Sequence, residues 1–215
     1  MSDVTLGNTW VTWGATGGVL SYQGVDIECE IPRTGIGELE RVQQRVAHAV
    51  SSGTVFADAV EELTQIGPQP HVFEVQRLGS DIILIDDTQT VLAQDAVKSL
   101  KTVTNVAARQ SRVIVVAGAF EFDRDSDYDS LEAFGALMVR LNIDQVFAVG
   151  PEARALFLSV GREGSWDGES QHCVDIPSAY DELRAFIRPG DVVLVMGSHS
   201  VDLQPLVTQL SEAYS

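Results

Sequence analysis

Lysine is almost missing from this chain. Lys98 and Lys101 are the only two, and arginine supplies the rest of the 14 basic residues, set against 31 acidic ones. The net charge of −17 excludes a protein built to hold nucleic-acid phosphates or an anionic membrane surface. It suits a soluble protein kept dispersed by its own charge. Cysteine is equally sparse: Cys29 and Cys173 lie far apart, each in a strand-like run. They read as small buried hydrophobes, not as a disulfide or a ligand set. No apolar run approaches the roughly 18 residues of a spanning helix, so no membrane insertion is expected. The start, Met1-Ser2-Asp3-Val4-Thr5, has neither the basic residues nor the apolar stretch of a signal peptide, and a cytoplasmic location is expected. Gly14-Ala15-Thr16-Gly17-Gly18 is glycine-rich, but no Gly-Lys-Ser/Thr follows it. It reads as a hairpin turn and not a phosphate loop.

What is present is ordinary globular composition, 45% hydrophobic and 21% charged. Residues 4–31 alternate in β fashion, with a turn expected at Gly17-Gly18 and another at Gln23-Gly24. The run Val25-Asp26-Ile27-Glu28-Cys29-Glu30-Ile31 alternates strictly, which buries one face and wets the other. A small three-stranded antiparallel sheet is predicted. Leu39, Val42, Val46 and Val50 then recur at helical spacing up to Gly53, and Val55 to Ile66 gives a second amphipathic helix. Two helices on so thin a sheet leave apolar faces in want of cover, so residues 1–66 are expected to self-associate, to meet a partner or to dock tightly on the rest of the chain.

Gly67-Pro68-Gln69-Pro70 breaks the chain and divides it into residues 1–70 and 71–215. Beyond it, a strand at 72–78 turns through Gly79-Ser80 into Asp81-Ile82-Ile83-Leu84-Ile85-Asp86-Asp87-Thr88. This apolar run ends in two carboxylates and a hydroxyl. Strand-like runs at 112–117, 145–149, 172–176 and 191–196 follow, separated by helical patterns at about 92–109, 128–141, 178–187 and 203–214, with a shorter helix ending near Val160. Strands alternating with helices predict a mostly parallel sheet with helices on both faces. The fold expected is α/β, a Rossmann-like domain preceded by a small antiparallel sheet with helices. Open sheets of this kind place ligands at the carboxyl ends of the strands, which makes Asp86-Asp87-Thr88 the candidate site.

Two other constellations invite chemistry. Asp123, Asp125 and Asp127 have the spacing of a calcium loop, but Tyr128 and Phe134 stand where such a loop needs glycine and glutamate. These acids instead suit the start of the next helix, with Asp129 or Ser126 as its cap. Gly197-Ser198-His199-Ser200 follows the last strand, where backbone amides and hydroxyls can hold an anion or a ribose hydroxyl. No catalytic residue and no metal ligand set is identified.

Three segments in order, Ile85-Asp86-Asp87-Thr88, Val115-Val116-Ala117-Gly118 and Phe147-Ala148-Val149-Gly150, resemble the C-terminal domain of the Mur ligases. So does Arg188-Pro189-Gly190-Asp191-Val192-Val193-Leu194-Val195-Met196-Gly197-Ser198, the most specific piece. The similarity is greatest to the members that add D-alanyl-D-alanine, and it makes residues 1–70 a remnant of that family's central domain. The resemblance implies an ATP- and magnesium-dependent joining of an amine to a muramyl-peptide carboxylate. It implies nucleotide contacts at Asp87, Thr88, Gly197 and Ser198. The family's substrate domain and phosphate loop have no counterpart in these residues, and several of its polar motifs are replaced. Gly37-Glu38-Leu39-Glu40-Arg41 stands for His-Asn-x-x-Asn, Gln89-Thr90-Val91-Leu92-Ala93 for Tyr-Asn-Ala-Asn-Pro, and Met196-Gly197-Ser198-His199 for Lys-Gly-Ser-Arg. The expected function is a non-catalytic scaffold or regulator in peptidoglycan precursor synthesis. Two alternatives stand beside it: a half-enzyme that uses ATP and magnesium only when a partner chain brings the phosphate loop, and a small-molecule binding domain.

Overall fold

The computed structural model describes residues 3–65, 67–107, 111–123, 130–163, 169–197 and 200–215, with the side chains of residues 63 and 64 set aside. The chain divides into two compact units, Met1–Pro70 and His71–Ser215.

The first unit is an antiparallel meander of β1 (Thr5–Thr12), β2 (Ala15–Tyr22) and β3 (Val25–Ile31), followed by α1 (Glu38–Ser51) and α2 (Phe56–Thr64). The turn expected at Gly17-Gly18 lies instead at Trp13-Gly14, where Gly14 takes a φ of +104°. Gly17 and Gly18 sit inside β2, opposite Glu30 and Cys29 of β3. The reason is packing. Gly17 pairs with Trp10 across the sheet, and a Cβ there would collide with the indole. Leu20, Cys29 and Ile31 of the sheet meet Leu39, Val42 and Val46 of α1 and Phe56 and Val60 of α2 in one core. Each such side chain contributes about 1.5–3 kcal/mol when fully buried.

The second unit holds a six-stranded sheet in the order β4-β5-β9-β6-β7-β8. Its strands are β4 (Glu74–Arg77), β5 (Ile83–Asp87), β6 (Val113–Ala117), β7 (Gln145–Val149), β8 (Ser170–Cys173) and β9 (Val192–Met196). Only β4 runs antiparallel, hairpinned to β5 at the sheet edge. All the residues of β5, β6, β7 and β9 are buried, as strands covered on both faces must be. Between them run α3 (Ala93–Val106), α4 (Leu131–Arg140), α5 (Arg154–Glu163) and α6 (Ile176–Phe186), and α7 (Gln204–Tyr214) follows the last strand. The α6 and α7 side chains Ala179, Leu183, Leu206 and Leu210 cover alternate sheet residues, among them Leu84, Ile114, Val116, Val193 and Val195. The expected Rossmann-like α/β architecture is therefore observed.

Boundaries differ by a few residues, and two of the differences have clear causes. The fourth helix starts at Leu131, not near 128, because the Ser130 hydroxyl accepts the Ala133 amide at 3.3 Å and caps it. The expected caps Asp129 and Ser126 lie outside the described residues, as do Asp125 and Asp127. The sixth helix starts at Ile176, not Ser178. Asp175 caps it by accepting the Ser178 amide at 2.9 Å, and Ser178 completes a capping box.

At the amino ends of the strands, Arg112 and Asp191 close the sheet. The guanidinium donates from Nε at 3.0 Å and from a terminal nitrogen at 2.6 Å to the two Asp191 oxygens. The Arg188 amide adds a third bond to Asp191 at 2.7 Å. Gly190, at φ +82°, makes the tight turn that brings Arg188 and Asp191 together. The Arg-Pro-Gly-Asp segment is thus a structural clasp at the edge opposite the candidate site.

Candidate functional site

Strand β5 delivers Asp86 and Asp87 to the carboxyl edge of the sheet, and parallel pairing sets Asp87 beside Met196 of β9. Gly197 follows directly, so Asp87, Thr88 and Gly197 share one edge, as expected from the sequence. Gly197 has a φ of +79°, and any Cβ there would strike the Phe120 ring. Glycine is required on both counts. Ser198 and His199 lie outside the described residues.

The two aspartates are bound mostly within the protein. Asp86 is 2% exposed. Its Oδ1 accepts the Thr88 amide at 3.1 Å and the Thr88 hydroxyl at 2.7 Å, while Oδ2 meets His71 Nδ1 at 2.7 Å. Thr88 Oγ1 accepts in turn from Gln204 Nε2 at 3.2 Å. Asp87 is 1% exposed, and its Oδ1 accepts the Phe73 amide at 3.0 Å and the Thr90 hydroxyl at 2.7 Å. Its Oδ2 has no hydrogen-bond partner among the described residues. Burial pushes the Asp87 carboxyl up to about 6, against the lowering influence of nearby Ser99, Thr90 and the Phe73 amide.

His71 is the residue that the sequence did not single out. Glu74 pairs directly with Asp86 across the β4–β5 hairpin, and its Oε2 accepts the His71 amide at 3.0 Å. That pairing signal was available once β4 was taken as an antiparallel partner. His71, Glu74 and Asp86 offer ligand atoms within 4.8 Å of one another and could hold a metal ion. They open on a cleft of about 200 Å³ also lined by Gln204, Thr208 and Glu212. The hydrogen bond that the His71 ring donates to Asp86 raises the imidazole above its ordinary value of 6.5. The pair's contribution to stability is therefore full below pH 6.5 and is lost as pH rises through the folded value. In an NMR titration the His71 ring is expected to protonate above pH 6.5, and Asp86→Asn to bring its midpoint back down. An unchanged midpoint in that variant would remove the account.

A cleft with three carboxylates, one imidazole and no lysine or arginine in its lining has the wrong sign for a triphosphate. The described residues around Asp86 do not fit ATP phosphates. Fold and edge together define a Rossmann-like α/β domain with a polar crevice at the carboxyl ends of its strands.

Residues 73–199 match the family model for the Mur ligase glutamate ligase domain, and the chain belongs to the Mur ligase family. Among curated relatives, it is 30% identical to a UDP-N-acetylmuramoyl-tripeptide–D-alanyl-D-alanine ligase of Mycobacterium leprae, over 83% of this chain and 39% of that protein. The enzyme of the same name from Synechocystis is 25% identical, over 93% of this chain and 44% of its own length. The chain thus spans less than half the length of the curated relatives it matches. In structure it resembles a UDP-N-acetylmuramoylalanyl-D-glutamyl-2,6-diaminopimelate–D-alanyl-D-alanyl ligase from Acinetobacter baumannii, with a TM-score of 0.74 at 19% identity, covering 98% of this chain and 44% of that one. It also resembles the UDP-N-acetylmuramate-alanine ligase of Thermotoga maritima, with a TM-score of 0.76 at 15% identity, covering 98% of this chain and 45% of the other. These two likenesses show the fold. No helix among the described residues is long and apolar enough to cross a membrane.

Proposed function

We propose that this chain acts in the cytoplasm as a non-catalytic scaffold or regulator in peptidoglycan precursor synthesis, the process in which its ligase relatives work. The observation that carries the reading is the state of the β5 edge. Asp86, Thr88 and one oxygen of Asp87 spend their hydrogen bonds on His71, Phe73, Thr90 and Gln204, and the adjoining cleft is acidic. A catalytic edge of this kind needs donors and cations aimed outward at developing negative charge. Here the strand end is braced against its own loops. Residues 1–66 supply the contact surface in this reading: Trp10, Val25, Ile36 and Val55 are exposed apolar side chains.

The test is isothermal titration with ATP and magnesium, paired with co-purification of the full chain from cells that make peptidoglycan. No nucleotide heat, together with a cell-wall enzyme recovered as partner, is the expected result. ATP hydrolysis or ligation by the chain alone would end the proposal. The half-enzyme reading keeps one observation in its favour, the shared edge of Asp87 and Gly197. It requires nucleotide heat to appear when a phosphate-loop-bearing ligase is added. The same experiment without that heat removes it.

A further inference from the structure

Residues 1–70 contain three basic side chains in all, Arg33, Arg41 and Arg45, against nine acidic ones. All three line a single pocket of about 170 Å³, with Ile31 and Val42 among its apolar walls and Glu38 as its one acid. Random placement of three arginines over an acidic surface does not gather them in one concavity. The geometry shows what each does. Arg33 is anchored, with Nε donating to the Gly67 carbonyl at 2.7 Å and its side chain 18% exposed. Arg41 is held by Glu38 at 2.7 Å, and the same carboxylate reaches Arg33 at 3.7 Å. Arg45 stands one helical turn beyond Arg41 on α1 and makes no ion pair among the described residues. Like charges four residues apart on a helix repel, so folding alone gives no reason for the Arg41–Arg45 pair.

We propose that this pocket binds a small phosphoryl dianion, with Arg45 as the open fork and Arg33 and Arg41 as braced cations beside it. The charge balance selects the ligand. Three guanidinium groups against one carboxylate leave two positive charges, which a phosphoryl group matches and a single carboxylate does not. The planar fork of arginine suits phosphoryl oxygens in bidentate geometry. The volume is below the roughly 300 Å³ at which pockets begin to enclose drug-sized ligands, so the occupant is a free phosphate ion or the phosphoryl head of a larger metabolite. The surrounding net charge of −17 repels anions elsewhere, which makes this concavity the selective place for one. The site stands apart from the proposed scaffold role and does not depend on it.

The experiment is isothermal titration of the full chain at constant ionic strength, with chloride as the balancing anion. Inorganic phosphate, glycerol phosphate and ADP are the three probes. One saturable site for phosphate or glycerol phosphate is expected. Stronger binding of the ester identifies a metabolite head group, and equal binding identifies the free ion. Arg45→Gln, at an exposed position, is expected to weaken binding by about ten- to a hundredfold, the effect of one charge-assisted hydrogen bond or a fork of them. Arg45→Lys is expected to restore part of it. Thermal melts check that both variants fold as the parent does. Absence of saturable heat with phosphate and ester, or equal affinity in Arg45→Gln, overturns the proposal. So does ADP binding that phosphate fails to displace.

Discussion

Replacing Arg112 with alanine is expected to destabilise the second unit by about 3 kcal/mol, near the lower end of the range for a buried charge that loses its partner. Asp191 is 2% exposed, so its carboxylate cannot turn to water when the guanidinium goes. Only the Arg188 amide would remain to hold it. The variant also loses the guanidinium bond to the Phe186 carbonyl at 3.0 Å and the stacking of that guanidinium 4.7 Å over the Phe186 ring. The effect sits at the lower end because the Arg112 side chain keeps 24% exposure, and solvent already screens part of the pair. Arg112→Lys keeps the charge without the fork and should recover less than half of the loss. An Arg112→Met, Asp191→Leu double variant should cost less than Arg112→Ala alone, since no charge is then stranded. Urea unfolding of the four proteins measures this. A double variant that is worse than the single one would show that the clasp acts through something other than its charges.

The second large effect is a pH dependence centred on Asp87. Its carboxyl rises from an ordinary 3.8 to about 6 in the fold, so the folded state prefers the protonated form. Below about pH 4 both states carry the proton and the group is neutral in its effect. Between pH 4 and pH 6 the unfolded chain releases its proton first, and stability falls as pH rises. The loss is complete above pH 6 and amounts to about 3 kcal/mol. Burial sets the direction, because a carboxylate left 1% exposed loses the water that would solvate its charge. In Asp87→Asn the amide oxygen can still accept from Phe73 and Thr90, while the titration is gone. The readout is the difference in unfolding free energy between wild type and Asp87→Asn from pH 4 to pH 7, which cancels the other carboxylates. That difference should move in favour of the variant as pH rises. A constant difference would place the titration elsewhere.

Much of the second unit was legible because its strands are buried on both faces. Runs such as Val113-Ile114-Val115-Val116-Ala117 and Val192-Val193-Leu194-Val195-Met196 have no polar side, and helices of regular period separate them. The first unit was legible in its number of strands but not in its first turn. Glycine pairs usually mark turns, and Gly17-Gly18 carried that signal. What overrode it was the Trp10 ring across the sheet and Leu39 of α1 pressing on Gly18. The candidate edge was readable as Asp86-Asp87-Thr88 at a strand end. Its partners were not, since His71 lies 15 residues and Gln204 116 residues from the groups they bind. The arginine pocket was hidden for the same reason. Arg41 and Arg45 share a helix face by spacing, but Arg33 comes to them from another segment.

The sequence by itself determined the acidic character, the division near Gly67-Pro70, the α/β class and the placing of Asp87 and Gly197 at strand ends. These follow from composition and from periods of two and 3.6 residues, which are local properties of a chain. Tertiary structure decided that Arg188-Pro189-Gly190-Asp191 is a clasp on Arg112, that Asp87 is sealed while Asp86 meets His71, and that three arginines of one acidic unit face the same small space. Those outcomes depend on which distant side chains pack together, and no local pattern encodes that.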